Sequence, residues 1–229
     1  MLPGRTLLFL FFQALIALGF AAGGASGAWD RSAAWWPLTV TLTNAVCLAV
    51  MVRQFPAEGG SYWNIFRWDR ENWKRDALVM LGVLVVTGPV AMLPGNLLAG
   101  ALFGDPMAGL RLFLAPLPPL GLVFALVLFP ITQGLVELAF YFLYVMPRLA
   151  KQINPWAAYA LASLFLGIQH AMIPLRFDAS FFTWRLLMFI PFAFMAGAVL
   201  KWRPRLLIYL AVVHVLMDFA TATMYLTGF

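Results

Sequence analysis

Four ionisable side chains, Glu137, His170, His214 and Asp218, each lie inside a stretch otherwise apolar enough to cross a bilayer, and the two histidines are the only ones in the chain. An ionisable group near the middle of the hydrocarbon costs roughly 3 kcal/mol by insertion scales, so it persists where it faces a bundle interior and has partners. A carboxylate beside an imidazole can activate water, with Glu137 taking the proton while a histidine holds or polarises the water. A second histidine, oriented by Asp218, can then stabilise the oxyanion formed when a peptide carbonyl is attacked. The same residues also suit zinc, because two histidines with one or two carboxylates make an open tetrahedral site. A third possibility is a polar network that only pins helices together. A proton or ion pathway would use the same groups, but it calls for polar residues strung through the full bilayer, and these four collect in one layer.

The elements that must position these groups are membrane-spanning helices. Hydrophobic residues make up 63% of the 229 and charged residues 10%, and the apolar runs recur near the ~20 residues that a span requires. The expected fold is an all-α polytopic transmembrane bundle forming one membrane domain over residues 1–229. About seven spans are expected, near 5–25, 37–53, 77–103, 119–147, 155–174, 183–201 and 206–227. With the N-terminus in the cytoplasm, eleven Lys and Arg residues fall inside, and four, Arg31, Arg111, Arg176 and Arg185, fall outside. That is a positive-inside distribution, so the net charge of +6 reports topology rather than a nucleic-acid partner. The expected location is integral to the cell membrane, with the lipid bilayer as partner, no nucleic acid and no organic cofactor.

At ~1.5 Å per helical residue from the cytoplasmic end of each span, Glu137 lies about 15 Å deep, His214 about 12 Å, Asp218 about 18 Å and His170 about 22 Å. His214 and Asp218 are four apart and share a helix face. The first span also resembles a secretory signal, with Arg5 before the Leu7 to Leu18 run and small residues at Ala25-Ser26-Gly27-Ala28. We read it as a retained helix; its removal would leave the orientation of the other spans unchanged. Cys47 is the only cysteine, which excludes an internal disulfide and a cysteine metal cluster. The segment from Ser61 to Asp76 mixes Tyr62, Trp63, Phe66, Trp68 and Trp73 with Arg67, Arg70, Lys74 and Arg75, which predicts an interfacial helix in the headgroup layer. Pro89, Pro94, Pro116, Pro118, Pro119 and Pro130 predict kinks or re-entry around the third and fourth spans.

At the ionisable residues the chain resembles a known family. The segment Gly134-Leu135-Val136-Glu137-Leu138-Ala139-Phe140-Tyr141-Phe142, followed by Met146-Pro147-Arg148-Leu149, resembles the first motif of the CPBP family. These are the CAAX-protease and bacteriocin-processing intramembrane proteins, and their motif is EExxxR followed by a Pro-Arg-Leu ending. Ser163 to His170 is similar to the second motif, FxxxH, with Leu166 at the Phe position. His214-Val215-Leu216-Met217-Asp218 is similar to the third, HxxxN or HxxxD. The resemblance covers about residues 119–227. It implies an intramembrane endopeptidase acting on a membrane-associated peptide or protein, with Glu137 activating the water, His170 as its partner, and His214 with Asp218 on the oxyanion side.

The first motif departs from the family pattern. Glu137 stands ten residues before Pro147, as the family's first Glu does before its Pro, so the second Glu and the Arg fall on Leu138 and Phe142. At a spacing of four, losing both exchanges an ion pair for an apolar contact and leaves no orphan charge. Leu138 and Phe142 are therefore expected to pack in an apolar setting away from the polar cavity. If either lines that cavity, the loss bears on function, and the reading as a weakly active or inactive membrane factor of the immunity or assembly type gains weight.

Overall fold

Helix boundaries fall where the sequence supplies caps and prolines. Asn154 accepts the Trp156 backbone N–H at 2.8 Å with Pro155 at the first helical position, and Asp178 accepts the Phe181 N–H at 2.8 Å, which are the usual devices for starting a helix. The computed structural model describes residues 2–227. Its α-helices are α1 (Gly4–Ala22), α2 (Ala28–Ala34), α3 (Trp36–Ala57), α4 (Trp73–Phe103), α5 (Ala108–Phe113), α6 (Pro119–Leu149), α7 (Pro155–Ala171), α8 (Ala179–Trp202) and α9 (Leu207–Thr227). Among the described residues there is no strand.

Six helices, α1, α3, α4, α6, α8 and α9 with the turn before it, are long and apolar enough to cross a membrane, so the chain is an all-α polytopic membrane protein. The fifth expected span is α7, which has only 17 residues, about 25 Å at 1.5 Å per residue. Helix α8 lies between α7 and α4, α6 lies between α9 and α3, and α1 packs on α3 and α2. This arrangement puts α6 at the centre, with Val136, Leu138, Ala139, Tyr141 and Phe142 all buried.

Helix α6 can sit that close to α9 because position 134 is glycine. A Cβ there would lie 2.4 Å from Val215 Cγ2 and 2.8 Å from the Ala211 carbonyl oxygen, well inside contact distance. The helix also changes its winding. Phe124–Leu128 and Ala139–Val145 are π-helical, and each ends two residues before a proline, Pro130 and Pro147 respectively. A proline has no N–H for the carbonyl four residues back, and its ring collides with that carbonyl. A widened turn just ahead of it absorbs the mismatch and lets the helix continue.

Two local expectations are corrected here. Helix α4 runs unbroken through Pro89 and Pro94, so the third span does not re-enter. Residues 61–76 are not one interfacial helix: Tyr62–Phe66 is a 3-10 turn, an irregular link follows, and α4 starts at Trp73. The breaker is Asp69, whose carboxylate accepts the backbone N–H of Glu71 and of Asn72, both at 3.1 Å, and the Asn72 side-chain amide at 3.0 Å. Such local bonds compete with helix formation. Trp63, Trp68 and Trp73 remain exposed, as a headgroup-layer segment requires. Arg205 joins Asp69 at 3.2 Å and Asp76 at 2.9 Å, and Arg203 reaches Asp76 at 3.4 Å, tying the start of α4 to the α8–α9 turn.

Gly134→Ala is expected to lower stability by about 1–3 kcal/mol, because a methyl must force α6 from α9; an unchanged midpoint in denaturant unfolding would contradict this packing. Hydrogen bonds from the Asn72 side chain and backbone, together with the nearby Arg205, hold the Asp69 carboxyl below the usual carboxylate range. A depressed folded-state value stabilises the link above the unfolded value, and that contribution is lost as pH falls through the folded one. Asp69→Ala removes it at every pH, so trypsin should cut at Arg67 or Arg70 several-fold faster than in the wild type. Equal cleavage rates would show that the turn does not depend on Asp69.

Candidate active site

Helix α6 carries Glu137, α7 carries His170, and α9 carries His214 and Asp218 one turn apart. The bundle brings all four together. Glu137 is 1% exposed, its Oε1 lies 3.8 Å from His170 Nε2, and its Oε2 lies 3.5 Å from His214 Nε2. Asp218 Oδ2 is 3.4 Å from the same His214 nitrogen. These separations are long for direct hydrogen bonds and suit groups that share a third polar atom between them. In one respect the arrangement differs from expectation. Asp218 meets Nε2 of His214, and Nδ1 has no hydrogen-bond partner among the described residues, so Asp218 does not orient the ring from its far nitrogen.

Several polar residues of this site escaped the sequence reading. Gln133 Nε2 donates to Glu137 Oε1 at 2.5 Å and Gln169 Nε2 donates to the same oxygen at 2.6 Å. Their amide orientations are fixed from behind. Gln133 Oε1 accepts from Arg5 Nη2 at 2.8 Å and Asn44 Nδ2 at 3.0 Å, while Gln169 Oε1 accepts from the Tyr141 hydroxyl at 3.0 Å. With each amide oxygen occupied by a donor, each NH₂ must face the carboxylate. Arg5 is wholly buried, bonds Asn44 Oδ1 at 2.6 Å and places Nη1 3.7 Å from Glu137 Oε1. Donors therefore gather on Oε1, and Oε2 is left facing His214.

Arg5 and Arg185, at the starts of expected spans, were counted with the charges on opposite sides of the membrane, and both are instead inside the bundle, at 0% and 4% exposure. A cation near the end of an apolar run reads as a flank unless its partners are known. Taking one from each side of the eleven-to-four division leaves ten against three, and the asymmetry persists. The first turn of helix α1 accordingly packs beside Gln133 and Glu137.

His170 Nδ1 lies 2.7 Å from the Leu166 carbonyl oxygen, an acceptor only, so Nδ1 carries a proton, and in the neutral ring Nε2 is the lone-pair nitrogen facing Glu137. In that form Nε2 and Oε1 are both acceptors and, at 3.8 Å, make no direct hydrogen bond. Phe189 stacks on the His170 ring at 3.8 Å and 16°, fixing its plane. Both histidines, Glu137 and Asp218 border a cavity of about 410 Å³ whose walls are mainly apolar side chains of α4, α8 and α9. Among the described residues no three His, Cys, Asp or Glu side chains are placed to hold one metal ion.

The two positions that depart from the family motif separate. Phe142 is 0% exposed within the apolar cluster, and a Cβ at Gly197 would lie 2.6 Å from its ring. Leu138 belongs to the same cluster at 1% exposure, yet it also forms part of the cavity wall. Only Phe142 fits the expectation of packing away from the cavity.

Arg5→Met should destabilise the protein by roughly 3 kcal/mol, because it leaves a buried carboxylate and two amides without their cation. An unfolding midpoint equal to the wild type would remove Arg5 from this network. Comparison with protein-family models, with the curated proteins and with the solved structures returns no match to this chain.

Proposed function

We propose that this chain is an intramembrane endopeptidase that hydrolyses a membrane-associated peptide or protein with a glutamate-activated water, as its resemblance to the CPBP family implies. The supporting observation is a buried carboxylate set between two imidazole Nε2 atoms, at 3.8 and 3.5 Å, on the wall of a cavity large enough for a short peptide segment. Water held by His170 Nε2 gives its proton to Glu137 as its oxygen bonds to the scissile carbonyl carbon. Oε2 is the free acceptor, since the amide donors occupy Oε1. The N–H of His214 Nε2, flanked by Glu137 and Asp218, is the donor nearest the developing oxyanion. Collapse of the tetrahedral intermediate breaks the C–N bond, and Glu137 returns the proton to the leaving nitrogen.

In this reading the loops around Arg53–Arg75, Arg148–Lys151 and Lys201–Arg205 face the cytoplasm, and the protein resides in the cell membrane. A second reading, a catalytically weak or inactive membrane factor of the immunity or assembly type, draws on Leu138 in the cavity wall and on the three groups that tie down Glu137 Oε1.

Cleavage of a membrane-tethered peptide in liposomes tests the assignment. Glu137→Gln should reduce the rate by at least about 10²-fold, within the 10²–10⁴ range of general-base catalysis. The protein should stay folded, because an amide oxygen at the Oε1 position can still accept from Gln133 and Gln169. His170→Ala should fall comparably, and chelators should leave the wild type unaffected. Full cleavage by a well-folded Glu137→Gln variant would sink the enzyme reading, and chelator sensitivity restored by zinc would replace glutamate-water chemistry with metal chemistry.

A further inference from the structure

Arg185 of α8 is the one cation on the cavity wall that the proposed hydrolysis does not use. It is 4% exposed, and among the described residues no carboxylate lies within ion-pair distance of it. Two of its three nitrogens are engaged: Nε donates to the His170 carbonyl and Nη2 to the Ile173 carbonyl, each at 3.0 Å. Those bonds close the C-terminal end of α7 and fix the plane of the guanidinium. The Phe113 and Phe189 rings hold that plane, with centroids 4.1 and 4.8 Å from Arg185 Cζ. Among the described residues Nη1 makes no hydrogen bond, and Arg185 borders the same cavity as Glu137 and His170.

A guanidinium costs much to bury, and one with its orientation already fixed loses little further entropy when it binds an anion. The same Phe189 ring stacks on His170, so an anion on Arg185 lies one ring away from the reacting groups. A volume of about 410 Å³ is near the lower end of the roughly 300–1,000 Å³ typical of small-ligand sites, room for a short peptide end and not for a two-chain lipid. The anionic groups of peptides are carboxylates.

We propose that Arg185 is a substrate-binding residue that takes a carboxylate of the peptide substrate, supplied by an acidic side chain or by a free C-terminus, at the end of the cavity beyond His170. This rests on the peptide-hydrolysis reading for the identity of the ligand and on the structure for the site. Arg185 thereby selects substrate and acts apart from bond breaking, so its loss affects binding more than turnover.

Binding can be measured separately from cleavage, using full-length Glu137→Gln protein in detergent. Three short apolar probe peptides distinguish the sources: one with a free C-terminus, one amidated, and one amidated with a single Glu. At least one carboxylate probe should bind about 10- to 100-fold more tightly than the uncharged amide, as a charge-assisted bond lost from a buried site implies. The probe preferred identifies the source. In otherwise wild-type protein, Arg185→Lys, which keeps the charge and loses the fork, should raise KM for the carboxylate substrate about tenfold more than KM for the amide; any fall in kcat shared by both substrates reports the lost bonds to the His170 and Ile173 carbonyls. Equal binding of all three probes, no binding of either carboxylate probe, or an equal loss for acid and amide in Arg185→Lys would overturn the proposal. Carboxylate-selective binding without any cleavage by wild type would uphold the anchor and reject the peptidase.

Discussion

The structure turns on one buried carboxylate. Glu137 is withdrawn from water at the centre of the bundle, and an unpaired charge there would be strongly destabilising. Its compensation is assembled from five helices: Gln133 on its own helix α6, Gln169 on α7, His214 on α9, and Arg5 from α1 with Asn44 of α3 behind it. The site and the tertiary arrangement are thus held by the same set of bonds. The N-terminal helix, which could be taken for a topogenic or cleavable segment, is one of its members.

The seven apolar segments were legible because a bilayer demands long uninterrupted runs, and each acquired a helix near its expected place. The meeting of Glu137, His170, His214 and Asp218 was legible for a related reason: an ionisable group in an apolar span has few tolerable surroundings. The amides were not. Gln133, Gln169 and Asn44 carry no charge, so each alone reads as a tolerated polar residue, and their value lies in oxygens and NH₂ groups whose orientation only the assembled network fixes. Arg5 and Arg185 were misassigned because charge near a span end is ordinarily a surface feature. The 61–76 segment was misjudged because its composition suits a helix, while Asp69 supplies competing bonds that composition does not register.

Close packing in this bundle depends on particular small and irregular positions more than on apolar character, since lipid tails are as apolar as the side chains they meet and do not by themselves drive helices together. Gly134 admits α9, and the π segments of α6 let a 31-residue helix pass two prolines without breaking. The second π segment begins two residues beyond Glu137 and contains Tyr141, which backs Gln169. The wider turn thus forms part of the wall behind the carboxylate.

Helix α7 is the shortest of the long helices, and His170 is its penultimate residue. At about 25 Å it falls short of a hydrocarbon layer near 30 Å, and a bilayer answers such a deficit by thinning beside the short element. Trp156 near one end and Leu164 midway along are exposed, so α7 presents an apolar flank along part of its length. Hydrophobic mismatch would draw the polar boundary inward on that flank, toward the turn that holds His170. A helix a few residues too short would thereby bring water closer to a carboxylate that the rest of the fold keeps dry.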